Sequence, residues 1–587
     1  MTRGRAPSRS PDAVAVESPW GDADLIALGR DGRDAVVAVA LKRTSGSPTE
    51  IGRRPLAHAE LPAWVAARES EARDGGRHVR WVWSSSSVWY PPLLASGVRV
   101  ERCTDLRLSR TILRSARDGA LPDSAAWDAP TEDAAPAALF DLPPDDGSRP
   151  QHVDETLAES ARHDDILRTA PADAAGRLRL LLAAESAGSL VAAEMTTAGL
   201  PWDRTRHEQI LVGELGERIA GGVPRGIAER ADEVRRALRD PAASLDSQPK
   251  LLRALHRAGV EARSTSKWEL ADHDHPAIAP LLDYKRMMRL YTANGWAWLD
   301  EWVRNGRFRP VYVPGGVVTG RWASSGGGAL QIPKSLRDAV RADPGWVIVD
   351  ADVAQLEPRV LAAMAHDERM ADAARGRDLY DGIVDTGIAA SRTEAKYAVL
   401  GALYGSTTGD AARLMPRLRR AFPRAIRLTD DAARAGERGE RVSTLLGRVS
   451  PPPDERWVEL QRDARESAAN ERIAGTVARE RGRFTRNFVV QGTAAEWALA
   501  WMADLRSKLA AFPLSNAPAP ASGPAFARRA HLAFFLHDEV IVHAPAEHAE
   551  AAADAIRASA ATAARVLFGD FPIDVPLDIR IGPSAAP

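Results

Sequence analysis

Two acidic strand ends and one basic helix face carry the chemistry this sequence offers. In Trp346 to Arg359, WVIVDADVAQLEPR, an apolar strand runs into Asp350 and Asp352, and a helix opens at Glu357 and Pro358, where proline is tolerated in a first turn. A carboxylate at the exit of a buried strand is costly unless something positive is held there. A second such place is Ala533 to His543, AFFLHDEVIVH, where two apolar runs flank His537, Asp538 and Glu539 as in a tight hairpin with an acidic tip. If the two tips converge, their oxygens suit two Mg2+ ions, with Mn2+ as a substitute. The cations would also keep the clustered carboxylates ionised. The third feature is SRTEAKYAVLGALYGSTTG, which spaces Arg392, Lys396, Leu400 and Tyr404 four apart. Each such step turns an α-helix by about 40°, so the four share one broad face. Arg and Lys one turn apart make a phosphate clamp. Only seven of the 78 basic residues are Lys, which marks Lys396 out from filler. Taken alone, the segment also reads as an amphipathic surface helix with an i,i+4 cationic pair.

The elements that must position these groups follow from texture along the 587 residues, a length that suggests three to four domain-sized parts. Residues 35–41, 78–83 and 98–100 are short Val- and Trp-rich strands separated by a helix over Leu61–Arg73, which predicts a small α/β domain ending near residue 120. Residues 121–159 hold six Pro and ten acidic residues against one Arg, the pattern of an acidic, extended linker. From about residue 160 to 305 the chain is helical, and near Gly306 strand-like runs return. A hydrophobic content of 45% with 27% charged residues excludes a disordered or collagen-like chain, and a net charge of −1 excludes a generally basic nucleic-acid coat. Cys103 is the single cysteine, so neither an intrachain disulfide nor a cysteine zinc site is available. No apolar run reaches the ~18 residues of a membrane span, and Met1 to Pro11 lacks the apolar core of a signal peptide. The expectation is a cytoplasmic, nucleoid-associated monomer with no membrane partner.

Six segments in order, TGRWASS (319–325), DADVAQLEPR (350–359), RTEAKYAVLGALYG (392–405), TLLGR (444–448), RNFVVQGTAAE (486–496) and HDE (537–539), resemble the core of family A DNA polymerases, the bacterial DNA polymerase I group. The resemblance runs from about residue 177 to the C-terminus. It implies a multidomain α/β and α+β fold: an RNase H-like exonuclease-type domain (1–120), the linker (121–159), a thumb-like helical region (160–305), then palm and fingers (306–587, fingers about 360–450). It implies primer-template DNA and deoxynucleotides as partners. In that register Gln355, Glu357 and Arg359 make Asp352, not Asp350, the first metal ligand, with Asp538 the second and the Val353 carbonyl completing the shell. Glu539 supports the primer end. Arg392 and Lys396 grip the triphosphate, Lys396 also protonating the departing pyrophosphate, while Tyr404 and Glu357 crowd the sugar 2′ position. Gln355, Tyr380 and Leu400 complete the nucleotide pocket. Arg321, Gln331, Arg483, Asn487, Gln491 and His537 match positions that contact primer, template or the new pair, and Lys267, Lys285, Arg286 and Arg289 are thumb candidates for phosphate. Residues 411–429, with six Arg and no acid, are a further candidate patch, or else an ordinary solvated helix face.

Three departures bear on the expected activity. Leu400 stands where the family has Phe or Tyr, Tyr380 where it has His, and GGGALQIP (326–333) is one residue short and lacks the Asn before Leu-Gln. Polymerisation is expected to survive, with altered acceptance of dideoxynucleotides. The N-terminal domain occupies the place of the family's proofreading exonuclease, yet AVVAVALKR, taken as its first strand, offers no Asp-x-Glu pair. The carboxylate of a later motif falls near Trp89 or Tyr90, and Asp105 reads as structural. A degenerate exonuclease fold follows, and no separate 5′-nuclease domain is expected ahead of it. The other readings are a polymerase with active proofreading, a single-subunit RNA polymerase, against which Glu357 beside Tyr404 argues, and a DNA-binding protein with a decayed core.

Overall fold

The structure, a computed structural model, describes residues 20–586 apart from 33–34, 45, 117–120, 122–123, 125–126, 128–151, 326–327, 329–331 and 406–408. The chain divides into two compact units, the first Met1–Ala129 with Ser148–Ser186, the second Pro130–Gly147 with Ala187–Pro587.

The first unit is built on a five-stranded sheet of order β3-β2-β1-β4-β5, with β1 Leu25–Arg30, β2 Val36–Lys42, β3 Thr49–Leu56, β4 Arg80–Trp83 and β5 Arg102–Asp105. The first three strands form an antiparallel meander, and β1, β4 and β5 run parallel. Alternate residues Leu25, Ala27, Val37, Val39 and Leu41 pack into one core with Val82, Leu106 and Val153. Their neighbours Ile26, Leu28, Ala38 and Ala40 are equally buried, as expected of strands covered on both faces. Asp105 is structural: its carboxylate accepts from the N–H of Ser86 at 2.7 Å and of Leu108 at 3.1 Å, capping two helix starts.

Three expectations are corrected here. The first strand is LIALGR, not AVVAVALKR, which is second in the meander; a six-residue run ending in Gly-Arg was too short to stand out. The strand expected at 98–100 lies at Arg102–Asp105, because pairing with β4 begins at Arg80 and Arg102. The linker expected through 159 ends earlier, since Val153–Thr169 is helical, with His152 as its cap and Asp154 and Glu155 in its first turn. Residues 160–186 belong to this first unit and not to the thumb-like region. Within the expected linker Leu121 and Trp127 are also buried, Trp127 in the core of the first unit, and residues 122–123, 125–126 and 128–151 lie outside the described residues.

The second unit opens with helices from Arg204 to Trp302 and two small sheets: β6 Leu200–Pro201, β7 Val303–Arg304 and β8 Arg307–Phe308 in one, β9 Val311–Val313 and β10 Ala323–Ser325 in the other. Its main sheet is fully antiparallel, in the order β12-β13-β11-β14: β11 Trp346–Val353, β12 His531–Leu536, β13 Glu539–Pro545 and β14 Leu577–Gly582. Helix Ala549–Phe568 packs on this sheet. The 43-residue helix Ala468–Ala510 packs against both helix Ala549–Phe568 and helix Pro423–Glu437. That approach is close enough that a Cβ on Gly436 would fall 2.1 Å from the Thr485 hydroxyl.

The helical region is anchored by a buried aromatic cluster. Trp202 Nε1 donates to His207 Nδ1 at 3.2 Å, His207 Nε2 donates to the Asn294 carbonyl at 3.0 Å, and the Trp298 ring lies 5.6 Å away. Both ring nitrogens are therefore used by a neutral imidazole. Burial lowers its pKa to about 4, against 6.5 for an ordinary histidine. Between those values the folded chain binds fewer protons than the unfolded one, so this contribution is complete above pH 6.5 and is lost as pH falls toward 4, by about 3 kcal/mol in all. Denaturation series from pH 7 to 4 should show that loss in the parent chain and a flatter profile in His207→Gln.

Candidate active site

Strand register brings the two acidic tips together. In β11, Asp352 stands opposite Glu539 of β13 and Asp578 of β14, and the Val353 N–H donates to the Asp538 carbonyl at 3.0 Å. The β12–β13 hairpin turns on two residues. His537 has φ 58°, and the Asp538 N–H donates back to the Leu536 carbonyl at 2.8 Å, a tight γ-turn of the strained, positive-φ kind. Gln355, which follows β11, is left-handed as well at φ 51°. Two non-glycine residues in costly conformations flank the same pocket, as is common where geometry serves a site.

Asp350 and Asp352 share a face of β11 but not an environment. Asp350 is 2% exposed, accepts from Arg580 at 3.3 Å and has an Oδ1 without a hydrogen-bond partner. Burial and then the Glu539 charge push its pKa up to about 7. Asp352 is exposed at the strand's end, its pKa raised by partial burial and by Glu539. Glu539 is turned inward, both carboxylate oxygens taken by Arg337. Asp538 is pushed up to about 7 by burial and by Asp352 beside it.

Among the described residues neither Asp352 nor Asp538 forms an ion pair, and no set of three His, Cys, Asp or Glu side chains is arranged around a metal position. Two hard oxygen donors repelling one another beside open solvent fit a divalent cation that keeps water and phosphate oxygens in its remaining positions. Val353 lies beside both acids, but its backbone carbonyl carries no further sign of a ligand role.

The helix Arg392–Tyr404 forms as its spacing predicts. The Ser391 hydroxyl caps Glu394 N–H and Gly405 ends the helix at φ 72°. Arg392, Lys396 and Tyr404 are exposed and Leu400 is half-buried on the same side. Two ties connect this helix with the segment after β11. The Tyr404 hydroxyl donates to Glu357 at 2.7 Å, and Glu357 also accepts from Arg321. Arg392 pairs with Asp378 at 2.7 Å, and Asp378 in turn accepts from Gln355 at 3.0 Å. Tyr380 is buried, with its ring 5.5 Å from the Arg392 guanidinium; burial and then Asp378 push its phenol up to about 12.

One cavity gathers Arg321, Gln355, Glu357, Tyr404, His537 and Asp538, floored by Trp322, Leu356 and Phe535 and by the Ala494–Ala498 stretch of the long helix. Arg392, Lys396 and Leu400 stand outside it along the helix face, as does Tyr380 on the neighbouring helix Leu379–Asp385. Arg483, Asn487 and Gln491 are spaced by four along the helix Ala468–Ala510, where Gln491 accepts from the Thr319 hydroxyl at 2.9 Å. Burial, then Arg321, lowers the pKa of His537. Gln331 lies outside the described residues.

Several basic residues expected at DNA have partners within the chain. Lys285 donates to the Thr265 carbonyl and Arg286 pairs with Glu214 on the surface, and Arg286, Lys267 and Arg289 are all exposed. In the 411–429 patch Arg413 pairs with Glu394, Arg419 with Asp430, and Arg424 donates to the His366 carbonyl. Arg337, Asp378 and Asp578 were not among the expected site residues. Asp378 had a legible signal, an acid two residues ahead of Tyr380 in cap position. Arg337 and Asp578 had none, since Asp578 reaches the acids through strand pairing and Arg337 through the packing of the 3-10 turn Lys334–Ala339.

The model of DNA polymerase family A matches residues 247–585, and the chain belongs to that family. It is 26% identical over 358 residues to the thermostable DNA polymerase I of Thermus aquaticus, covering 56% of this chain and 38% of that protein. It is 29% identical over 338 residues to DNA polymerase I of Chloroflexus aurantiacus, covering 53% and 32%. The chain thus spans less than two-fifths of these relatives' length. The polymerase domain of Pol1 from M. smegmatis, solved with DNA primer-template and dNTP, superposes at a TM-score of 0.64 with 18% identity over 96% of this chain and 95% of that one, which shows a shared fold.

Titration with Mn2+ or Mg2+ should raise the melting temperature of the parent chain. A ligand at a hundredfold excess over its dissociation constant stabilises by about 2.7 kcal/mol. Asp352→Asn and Asp538→Asn should each abolish most of the shift, and a shift undiminished in both would place the cation elsewhere.

Proposed function

We propose that the chain is a template-directed DNA polymerase that adds deoxynucleotides to a primer 3′ end, acting in replication or repair in the cytoplasm, at the nucleoid. The observation that carries this reading is the meeting of Asp352 and Asp538 beside a cavity bounded by the Glu357–Tyr404 pair, with Arg392 and Lys396 exposed along one adjoining helix face. Divalent ions bound by Asp352 and Asp538 supply charge neutralisation and a lowered pKa at the primer hydroxyl. The chain's own residues do the positioning. Arg392 and Lys396 draw in the triphosphate, and the Lys396 ammonium is placed to give a proton to the departing pyrophosphate. Tyr404, held by Glu357, leaves little room for a 2′-hydroxyl and argues against an RNA polymerase. Arg321, Arg483, Asn487, Gln491 and His537 offer donors along the path of the duplex, contacts that fix register while base pairing chooses sequence. Lys267 and Arg289 extend that path on the thumb.

The first unit is proposed to be an exonuclease-type fold without nuclease activity. Its strand order and mixed pairing suit that fold, and its first strand carries no acid. At the end of that strand a Cβ on Gly29 would fall 2.4 Å from the Cα of Val153, so the start of helix Val153–Thr169 occupies the space a carboxylate would need.

Primer extension tests both halves. The parent chain should extend with dNTPs and not with NTPs, only with a divalent ion present, and should leave a labelled 3′ end intact when nucleotides are withheld. Asp352→Ala or Asp538→Ala should lower the rate by at least about a thousandfold, as loss of electrostatic stabilisation of phosphoryl transfer predicts; extension undiminished in either variant would refute the reading. Leu400→Tyr should change the ratio of dideoxy- to deoxynucleotide incorporation, measured on a chain-terminator gel, because residue 400 lies half-buried one turn from Tyr404.

A further inference from the structure

Arg392 already holds an anion in this structure. Its Nη2 and Nε donate to Oδ2 of Asp378 at 2.7 and 3.3 Å. Asp378 is not a loose surface acid. Its Oδ1 accepts from the backbone N–H of Tyr380 at 2.8 Å and of Asp381 at 3.2 Å, so it caps helix Leu379–Asp385, and Gln355 Nε2 donates to Oδ2 at 3.0 Å. Donors from three segments thus fix the carboxylate in place. The buried Tyr380 ring lies against the other partner, 5.5 Å from the guanidinium, a cation–π arrangement that keeps Arg392 near Asp378. Lys396, one turn on, is exposed and has no such acid among the described residues.

We propose that Asp378 is a resident anion on Arg392 which an incoming nucleotide must out-compete, making it a specificity-determining residue that sets how much phosphate charge a nucleotide needs. The proposal rests on the polymerase reading and deepens it. A guanidinium facing a fixed carboxylate presents a dipole to an approaching polyanion, not a full charge, and its pull is reduced accordingly. A triphosphate, longer and more charged, still reaches Lys396 and can displace the pair. A diphosphate has less charge with which to compete, so the penalty falls more heavily on it. Asp378 acts through Arg392 and touches no reacting atom.

The test is steady-state primer extension by the full chain, reading kcat and KM for a dNTP and the inhibition constant of the matching dNDP. Asp378→Asn keeps a good helix cap and removes the charge, and Asp378→Ser does the same with a shorter side chain. Each should lower the dNTP KM by about twofold to fivefold, the size of a partly exposed ion pair, with a smaller change in kcat. The dNDP inhibition constant should fall by a larger factor, so that discrimination between the two narrows. In an Arg392→Ala background, Asp378→Asn should leave KM where Arg392→Ala alone puts it. A KM unchanged or raised in both Asp378 variants, or the same fall without Arg392, overturns the proposal alone. A parent chain that extends no primer overturns the polymerase reading and this proposal with it.

Discussion

Two strands of one sheet end at the same point carrying like charges, and much of the second unit can be understood as the accommodation of that repulsion. The antiparallel pairing of β11 with β13 sets Asp352 against Glu539, and the hydrogen bond from Val353 to the Asp538 carbonyl keeps the hairpin tip from swinging away. Left uncompensated, clustered carboxylates would bind protons and lose the charge that makes them useful. The protein neutralises only the lower layer. Arg337 saturates Glu539 and Arg580 approaches Asp350, while among the described residues Asp352 and Asp538 form no ion pair, with Lys334 and Arg321 acting on them only from a distance. The layering leaves the electrostatic cost concentrated at Asp352 and Asp538.

The same strand also governs the helix that faces it. Gln355 and Glu357, both within a few residues of Asp352, reach the Arg392–Tyr404 helix by separate routes, one through Asp378 to Arg392 and one directly to Tyr404. The paired acids and the Arg392–Tyr404 helix are therefore tied together through a single short segment. The buried Arg359, which donates to the carbonyls of Ala354, Ala374 and Arg377 and to Asp574, fixes the base of that segment. Strain at Gln355 is tolerated because this network, through Asp378, the Leu379 N–H and Arg359, over-determines its position.

In the first unit the polar groups of the sheet are spent on structure. Its strands β1 and β2 are buried on both faces, and its sole strand-borne buried acid among the described residues, Asp105, is spent on helix caps. The backbone at Val153 fills the space beside Gly29, so placing any side chain there would require the helix Val153–Thr169 to move.

Much of the site was legible before any coordinates. Spacing of four put Arg392, Lys396, Leu400 and Tyr404 on one face, and two apolar runs around His537–Glu539 announced a hairpin, because helix and strand periodicity are local properties of the chain. What escaped were facts about pairing. That β1 and not β2 leads the first sheet, that residues 153–159 are helix and not linker, and that Lys285, Arg286 and most of the 411–429 arginines are occupied by partners all depend on segments distant in sequence. The sequence by itself determined which side chains stand together on an element and what chemistry they are suited to. Only the tertiary structure decided which of two neighbouring acids meets solvent, which arginine neutralises which carboxylate and which cation stays available, since burial and long-range pairing are set by packing between elements and leave no periodic trace in the residues themselves.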